Sequence, residues 1–193
     1  MPSIGVTGTV GSGKSLVLEF LSQLGAETIQ ADKIGHELLE EEKTGRQVLE
    51  LFGESVLGAD GGLDRSRIAE RVFGDPEAMH RYNSVVHPRL LKRLEEWLAR
   101  SAGSVVAVEA ALIPEWGIED WFDEVWCIRC SDETALKRWK RDTESYWKIR
   151  GAQFAPERKQ ARAERVIENE CSQEELRGRI WREWERFGGG GNR

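Results

Sequence analysis

Eight residues near the start constrain this chain more than any others: Gly8-Thr9-Val10-Gly11-Ser12-Gly13-Lys14-Ser15. They fit the pattern G-x-x-x-x-G-K-[ST] and stand where a phosphate-holding loop has to stand. Ile4-Gly5-Val6 before them is a short apolar run that predicts a strand. Leu16, Val17, Phe20, Leu21 and Leu24 after them recur at helical spacing. Strand, glycine loop and helix in that order are the context that separates such a loop from a chance glycine-rich turn. The glycines free the backbone to wrap an anion with its N–H groups turned inward, at a helix N-terminus that already favours negative charge. The candidate nucleotide-binding set is therefore Gly8, Gly11, Ser12, Gly13, Lys14, Ser15 and Leu16. Lys14 is expected to reach the β- and γ-phosphates, and the Ser15 hydroxyl to ligate magnesium. The chain is expected to bind a nucleoside triphosphate.

A length of 193 residues suits one α/β domain with inserted substructures better than two independent domains. The formal net charge of −6 gives no general pull toward nucleic acid or an anionic membrane. No apolar run approaches the roughly 18 residues of a membrane helix, and a strand at the very start leaves no room for a signal peptide. The expectation is a soluble, cytoplasmic protein. Its three cysteines argue against a disulfide framework. Cys127 and Cys130 form a C-x-x-C, but it lies in a predicted strand, where positions three apart point to opposite faces. No second ligand pair for zinc is visible, and both cysteines read as core residues.

Alternating strands and helices predict an α/β fold of three layers, with a mostly parallel five-stranded sheet. Strands are expected near residues 3–7, 27–30, 105–109, 124–130 and 166–169. The core takes residues 1–31 and 101–187, with a helix from about Glu174 to Phe187. Residues 32–100 show helical periodicity and little strand signal, and read as a helical insertion. Residues 137–165 are basic and aromatic, and the glycine-rich tail 188–193 reads as disordered. Of the eight tryptophans, Trp97, Trp181 and Trp184 lie on helix patterns and read as packing residues, as do Trp139 and Trp147.

A phosphate loop says nucleotide, not reaction. Asp32 follows the second predicted strand, at the sheet edge where open α/β folds bind ligands. It could take the proton of a hydroxyl attacking the γ-phosphate, or it could merely cap the next helix. On the residue pattern alone the two readings weigh equally. His36, four residues on, faces the same way and by itself reads as packed or solvated.

Further segments tie these together. Ala31-Asp32-Lys33-Ile34-Gly35-His36 is followed by Leu63-Asp64-Arg65, then Val72-Phe73-Gly74-Asp75-Pro76-Glu77 and Asn83-Ser84-Val85-Val86-His87-Pro88. Glu109, Glu115-Trp116-Gly117 and Val166-Ile167-Glu168-Asn169 complete the series. In this order, from residue 4 to about 176, the chain resembles the dephospho-coenzyme A kinase family. The resemblance implies transfer of the ATP γ-phosphate to the ribose 3′-hydroxyl of dephospho-coenzyme A, with Mg2+ and a small-molecule acceptor. Partners beyond that are not implied: no nucleic acid, no membrane, and a monomer or weak homo-oligomer. It makes Asp32 the general base and the insertion the substrate-binding part, with His36, Arg65 and His87 contributing. Asp64, Asp75 and Pro76 become caps and a helix stop. Glu109 takes the place of an acid in the magnesium shell, where the family commonly has Asp. Residues 137–165 become a lid whose Arg141 offsets charge on the transferring group, and Asn169 lines the adenine pocket.

Several positions depart from the family pattern. Leu16 replaces a threonine, Thr9 a glycine, and Ala110-Ala111-Leu112-Ile113-Pro114 a bulkier run. They keep open a kinase of another nucleotide-like alcohol, or a nucleotide sensor without catalysis. Nucleic-acid binding through 137–165 is opposed by the overall acidity, and a phosphate lid accounts for the same residues.

Overall fold

The apolar run at Ile4 to Val6 becomes the middle of a sheet. In the computed structural model, which describes residues 2–101 and 105–188, the strands are β1 (Ser3–Gly8), β2 (Glu27–Gln30), β3 (Val106–Glu109), β4 (Glu124–Arg129) and β5 (Arg165–Glu168). They lie in the order β2-β3-β1-β4-β5, and every pairing is parallel. Parallel neighbours need long crossovers, so helices cover the sheet. The helices are α1 (Lys14–Gln23), α2 (Ala31–Glu40), α3 (Glu42–Phe52), α4 (Arg65–Phe73) and α5 (Pro76–Arg100), followed by α6 (Ile113–Trp116), α7 (Asp132–Arg138), α8 (Thr143–Gly151), α9 (Pro156–Gln160) and α10 (Gln173–Phe187). Residues 189–193 of the expected tail lie outside the described residues. Among the described residues no helix is long and apolar enough to cross a membrane.

The chain divides into two units, Met1–Gln30 with Ser101–Arg193, and Ala31–Arg100. In the first unit, alternate residues of β1 serve different faces. Ile4 and Val6 join Val17, Leu21, Trp126, Ile180 and Trp184 in one buried cluster between the sheet, α1 and α10. On the other face, a Cβ at Gly5 would press on the Phe122 ring and Ile113. That side therefore closes over the middle of β1 only because residue 5 has no side chain. On α10 the packed stripe is Leu176, Ile180 and Trp184. Trp181, expected to pack, falls beside that stripe and is exposed, as is Trp147 in the basic segment. Cys127 is buried on β4, and burial pushes its thiol up to about 11. Cys130 lies past the strand end and is only half-buried, its Sγ 3.8 Å from the Gly11 carbonyl oxygen. The core reading thus holds for Cys127 and not for Cys130.

The second unit is helical, with one isolated antiparallel bridge between Leu57 and Leu63. Its spine is α5, which runs 25 residues through Pro88. A proline inside a helix removes one ladder hydrogen bond and crowds the preceding turn. The neighbouring Val85 carbonyl is satisfied by Arg89 Nη1 at 2.6 Å. Arg89 also donates to Gln47 on α3, and Arg93 pairs with Glu37 of α2 and with Glu41, the N-cap of α3, so two arginines of α5 tie three helices together. Asp64 caps α4 through the amides of Ser66 and Arg67. Asp75 accepts from Glu77 and Ala78 at the start of α5, which holds its carboxyl below the usual range. Pro76 opens a helix, a position where its missing N–H costs nothing.

Candidate active site

Where β1 ends, the backbone turns by way of glycines in the left-handed region: Gly8 at φ 147°, Gly11 at 75° and Gly13 at 95°. All three are also fixed by crowding, Gly11 by Ala135. A Cβ at Gly8 would collide with the Ile128 carbonyl oxygen, and one at Gly13 with Asn169 Nδ2. Asn169, itself buried, donates from that nitrogen to the Ser12 carbonyl at 2.8 Å. Its own backbone N–H donates to the Arg129 carbonyl at 2.7 Å. The end of β5 thereby clamps the loop that follows β1.

The loop leads into α1, whose N-cap is Gly13. No side chain caps α1, and no acidic residue lies in its first turn. A helix begins with four N–H groups that lack intrahelical partners, and their summed dipole favours an anion. Four other helix starts are closed by Asp64, Ser131, Asp142 and Ser172. The helices α3, α6 and α9 also lack a side-chain cap, but only α1 among these starts from a left-handed glycine in the loop after β1. At α1 the opening is left to whatever enters the loop. Lys14 is buried there, its Nζ donating to the Thr9 carbonyl at 2.9 Å. The Ser12 hydroxyl is buried and has no hydrogen-bond partner. A cleft of about 360 Å3 opens on this end, lined by Gly11, Gly13, Lys14, Ser15, Leu16, Arg138, Asn169, Cys171 and Gln173. An uncapped helix end, left-handed glycines and a buried lysine fit a polyphosphate. Ser15 is exposed in the first helical turn and offers the hard hydroxyl oxygen that magnesium takes. Glu109, at the end of β3, is buried and oriented by Gln30 Nε2 at 3.0 Å.

Residues 3–175 match the family model of dephospho-CoA kinase. The chain belongs to that family. A dephospho-CoA kinase of Geobacter sulfurreducens is 37% identical over 193 residues, covering 95% of this chain and 98% of its own length. Among solved structures, TT1252 from Thermus thermophilus superposes with a TM-score of 0.80 at 31% identity, covering 96% of this chain and 97% of its own. The dephospho-CoA kinase of Campylobacter jejuni shares the fold with a TM-score of 0.64 at 23% identity, over 96% of both chains.

In this kinase the site residues read from the sequence fall in two groups. Gly8, Gly11, Ser12, Gly13, Lys14, Ser15, Leu16, Glu109, Arg141 and Asn169 belong to the first unit; Asp32, His36, Arg65 and His87 belong to the second. Asp32 is the second residue of α2, not the residue before it, so it is not the N-cap; its carboxylate is exposed, as is the imidazole of His36 one turn on. Tyr82 of α5 feels that charge: burial and then the Asp32 carboxylate push its phenol up to about 12. Arg65 opens α4 and is exposed, while His87 is half-buried on α5. Burial lowers the His87 pKa and so favours a neutral imidazole at neutral pH.

Most cations of residues 137–165 are engaged within the fold. Lys137 pairs with Glu133, Lys148 with Glu144, Arg150 with Asp132, Lys159 with Glu115, and Arg162 with Glu119. Arg141 is exposed, its guanidinium 5.8 Å from the Trp139 ring centre. Arg138, which nothing in the sequence separated from its basic neighbours, lines the cleft and donates to Asn169 Oδ1 at 3.4 Å. Its only sequence signal was its place in the last turn of α7, three residues before Arg141. Two of the departures from the family pattern are absorbed by packing. Leu16 leans on the buried cluster of α1 and α10, and Ala110, Ile113 and Pro114 are buried beside β1.

Proposed function

We propose that this kinase transfers the γ-phosphoryl group of ATP to the ribose 3′-hydroxyl of dephospho-CoA, the last step of coenzyme A biosynthesis, in the cytoplasm. The observation that carries the reading is the uncapped start of α1 with Lys14 buried in the glycine loop, in a chain of this family. Asp32 takes the proton of the 3′-hydroxyl as its oxygen bonds to the γ-phosphorus. The bond from that phosphorus to the β–γ bridging oxygen breaks, and ADP leaves with the electron pair. Loop amides and Lys14 offset the charge on the β- and γ-phosphates, where fixed donors in a dry site act most strongly. Ser15 and, directly or through water, Glu109 would hold magnesium, whose charge would offset part of that on the phosphates. Asn169 and Arg138 form the nucleotide side of the cleft. His36, Arg65 and His87 serve the acceptor. A neutral His87 imidazole can both donate and accept a hydrogen bond. The alternatives, a kinase of another nucleotide-like alcohol or a sensor, have less support than family membership gives this one.

The test is ADP release from magnesium-ATP with and without dephospho-CoA. Release that needs dephospho-CoA is the expected result. Equal release without it, or with simple ribonucleosides in its place, refutes the acceptor assignment. Arg141→Ala is expected to lower kcat by about a hundred- to a thousand-fold, as loss of one group that offsets transition-state charge does. Because Arg141 is exposed, the melting temperature should stay within about 2 °C. A fall in melting temperature with kcat intact would make Arg141 structural.

A further inference from the structure

The peptide between Thr9 and Val10 is gripped at both ends. Its carbonyl oxygen accepts from Lys14 Nζ at 2.9 Å and from Ser12 N at 3.2 Å. Its N–H donates to Gln153 Oε1 at 2.9 Å, across 143 positions of sequence. On either side stand Gly8 and Gly11, both at positive φ. Glycines lack the steric limits that keep other residues in one backbone basin, so this peptide lies between two hinges and needs an outside hold to keep its direction.

Gln153 is suited to give that hold because its own backbone is anchored. The next residue, Phe154, donates its N–H to Glu115 Oε1 at 2.8 Å. Glu115 is held by Lys159 Nζ at 2.6 and 2.8 Å. Lys159 is fully buried and donates as well to the Ala111 carbonyl at 2.6 Å, which also accepts the Thr7 hydroxyl at 3.1 Å. A buried ammonium persists only with such partners, and removing any one leaves a costly unpaired charge. The chain past α8 is therefore pinned to the strand that leads into the loop. A hydrogen bond on the N–H of an amide also polarises its carbonyl and strengthens what that carbonyl accepts.

We infer that Gln153 is a positioning residue which, from its anchor on the buried Lys159–Glu115 pair, fixes the Thr9–Val10 peptide and through it the place of the Lys14 ammonium. This rests on the reading that Lys14 engages the phosphates of ATP. The Lys159 network is the support, Gln153 the arm, and the peptide carbonyl the rest on which Lys14 lies.

Gln153→Met removes the acceptor at nearly constant volume and is read alone and together with Lys14→Met. Steady-state kinetics, ATP titration and thermal melting are measured on each protein. The expected result for Gln153→Met is a fall of about tenfold in kcat/KM for ATP, the size of one lost hydrogen bond. The KM for dephospho-CoA should be unchanged and the melting temperature kept within about 2 °C. ATP affinity should be non-additive: in the Lys14→Met background, losing Gln153 changes it by less than about twofold. Full additivity, or a lower melting temperature with both KM values raised, makes Gln153 a general brace and overturns the inference. If Lys14→Met keeps ATP affinity and turnover, the reading of Lys14 fails and the inference falls with it. If turnover depends on Lys14 yet ignores Gln153→Met, the positioning role alone falls.

Discussion

Lys14→Ala is expected to cut kcat about a thousand-fold while the protein keeps its fold. The size follows from where the ammonium lies. It is buried at the uncapped start of α1, where low dielectric multiplies the worth of a fixed charge against the developing charge of the transition state. The fold has less to lose. The Thr9 carbonyl that accepts from Lys14 also accepts from Ser12 N, so truncation leaves that oxygen bonded. It also relieves the burial of a charge. Melting temperature and single-turnover rate, measured on the same sample, separate the two effects. A variant within tenfold of the parent rate would remove Lys14 from the chemistry.

Asp32→Asn is expected to lower kcat by about 10²- to 10⁴-fold, the span over which a positioned general base acts, with ATP affinity intact. The amide keeps the shape of the side chain and loses only its capacity to take a proton. Exposure at the second position of α2 means that folding does not depend on this carboxylate; its favourable contact with the helix dipole is worth about 0.3–1 kcal/mol. A second readout is independent of turnover. Burial is the larger cause of the raised Tyr82 pKa, and the Asp32 charge adds to it. Neutralising residue 32 should lower the Tyr82 titration from about 12 while leaving it above the usual phenol value. Unchanged turnover beside a shifted Tyr82 would show an Asp32 that is folded and charged as described, yet not the base.

The central strands were legible because each holds a short apolar run, closed by a polar residue in Val106 to Glu109 and Val125 to Arg129, while the polar edge strand β2 was legible mainly from its place between α1 and Asp32. The loop was legible because its chemistry is contiguous: glycines, lysine and serine sit within eight positions. The caps Asp64 and Asp75 could be read for the same reason, since a cap acts two or three residues away. The continuity of α5 could not, because Pro88 argues for a break, and what holds the helix across it is tertiary: Arg89 and Arg93 just beyond it tie α5 to its neighbours. Arg138, Gln153 and the Lys159–Glu115 pair were beyond reach for a different reason. Each is a single polar residue whose partner stands 31, 143 or 44 positions away, and no periodicity carries that information. Trp181 was misplaced because helical spacing gives a stripe but not its width.

The bond from Asn169 to the Ser12 carbonyl joins residues 157 apart, and this sets an order of events at the ribosome. The glycine loop leaves the exit tunnel well before Asn169. Its clamp is synthesised about ten to thirty seconds later, at ordinary rates of chain elongation. Until then the strand that carries Asn169 does not exist, and the nascent chain holds a phosphate loop with one wall missing. The earliest-made part of the nucleotide site is thus among the last to be completed, and a chain released before residue 169 has the motif but not the pocket.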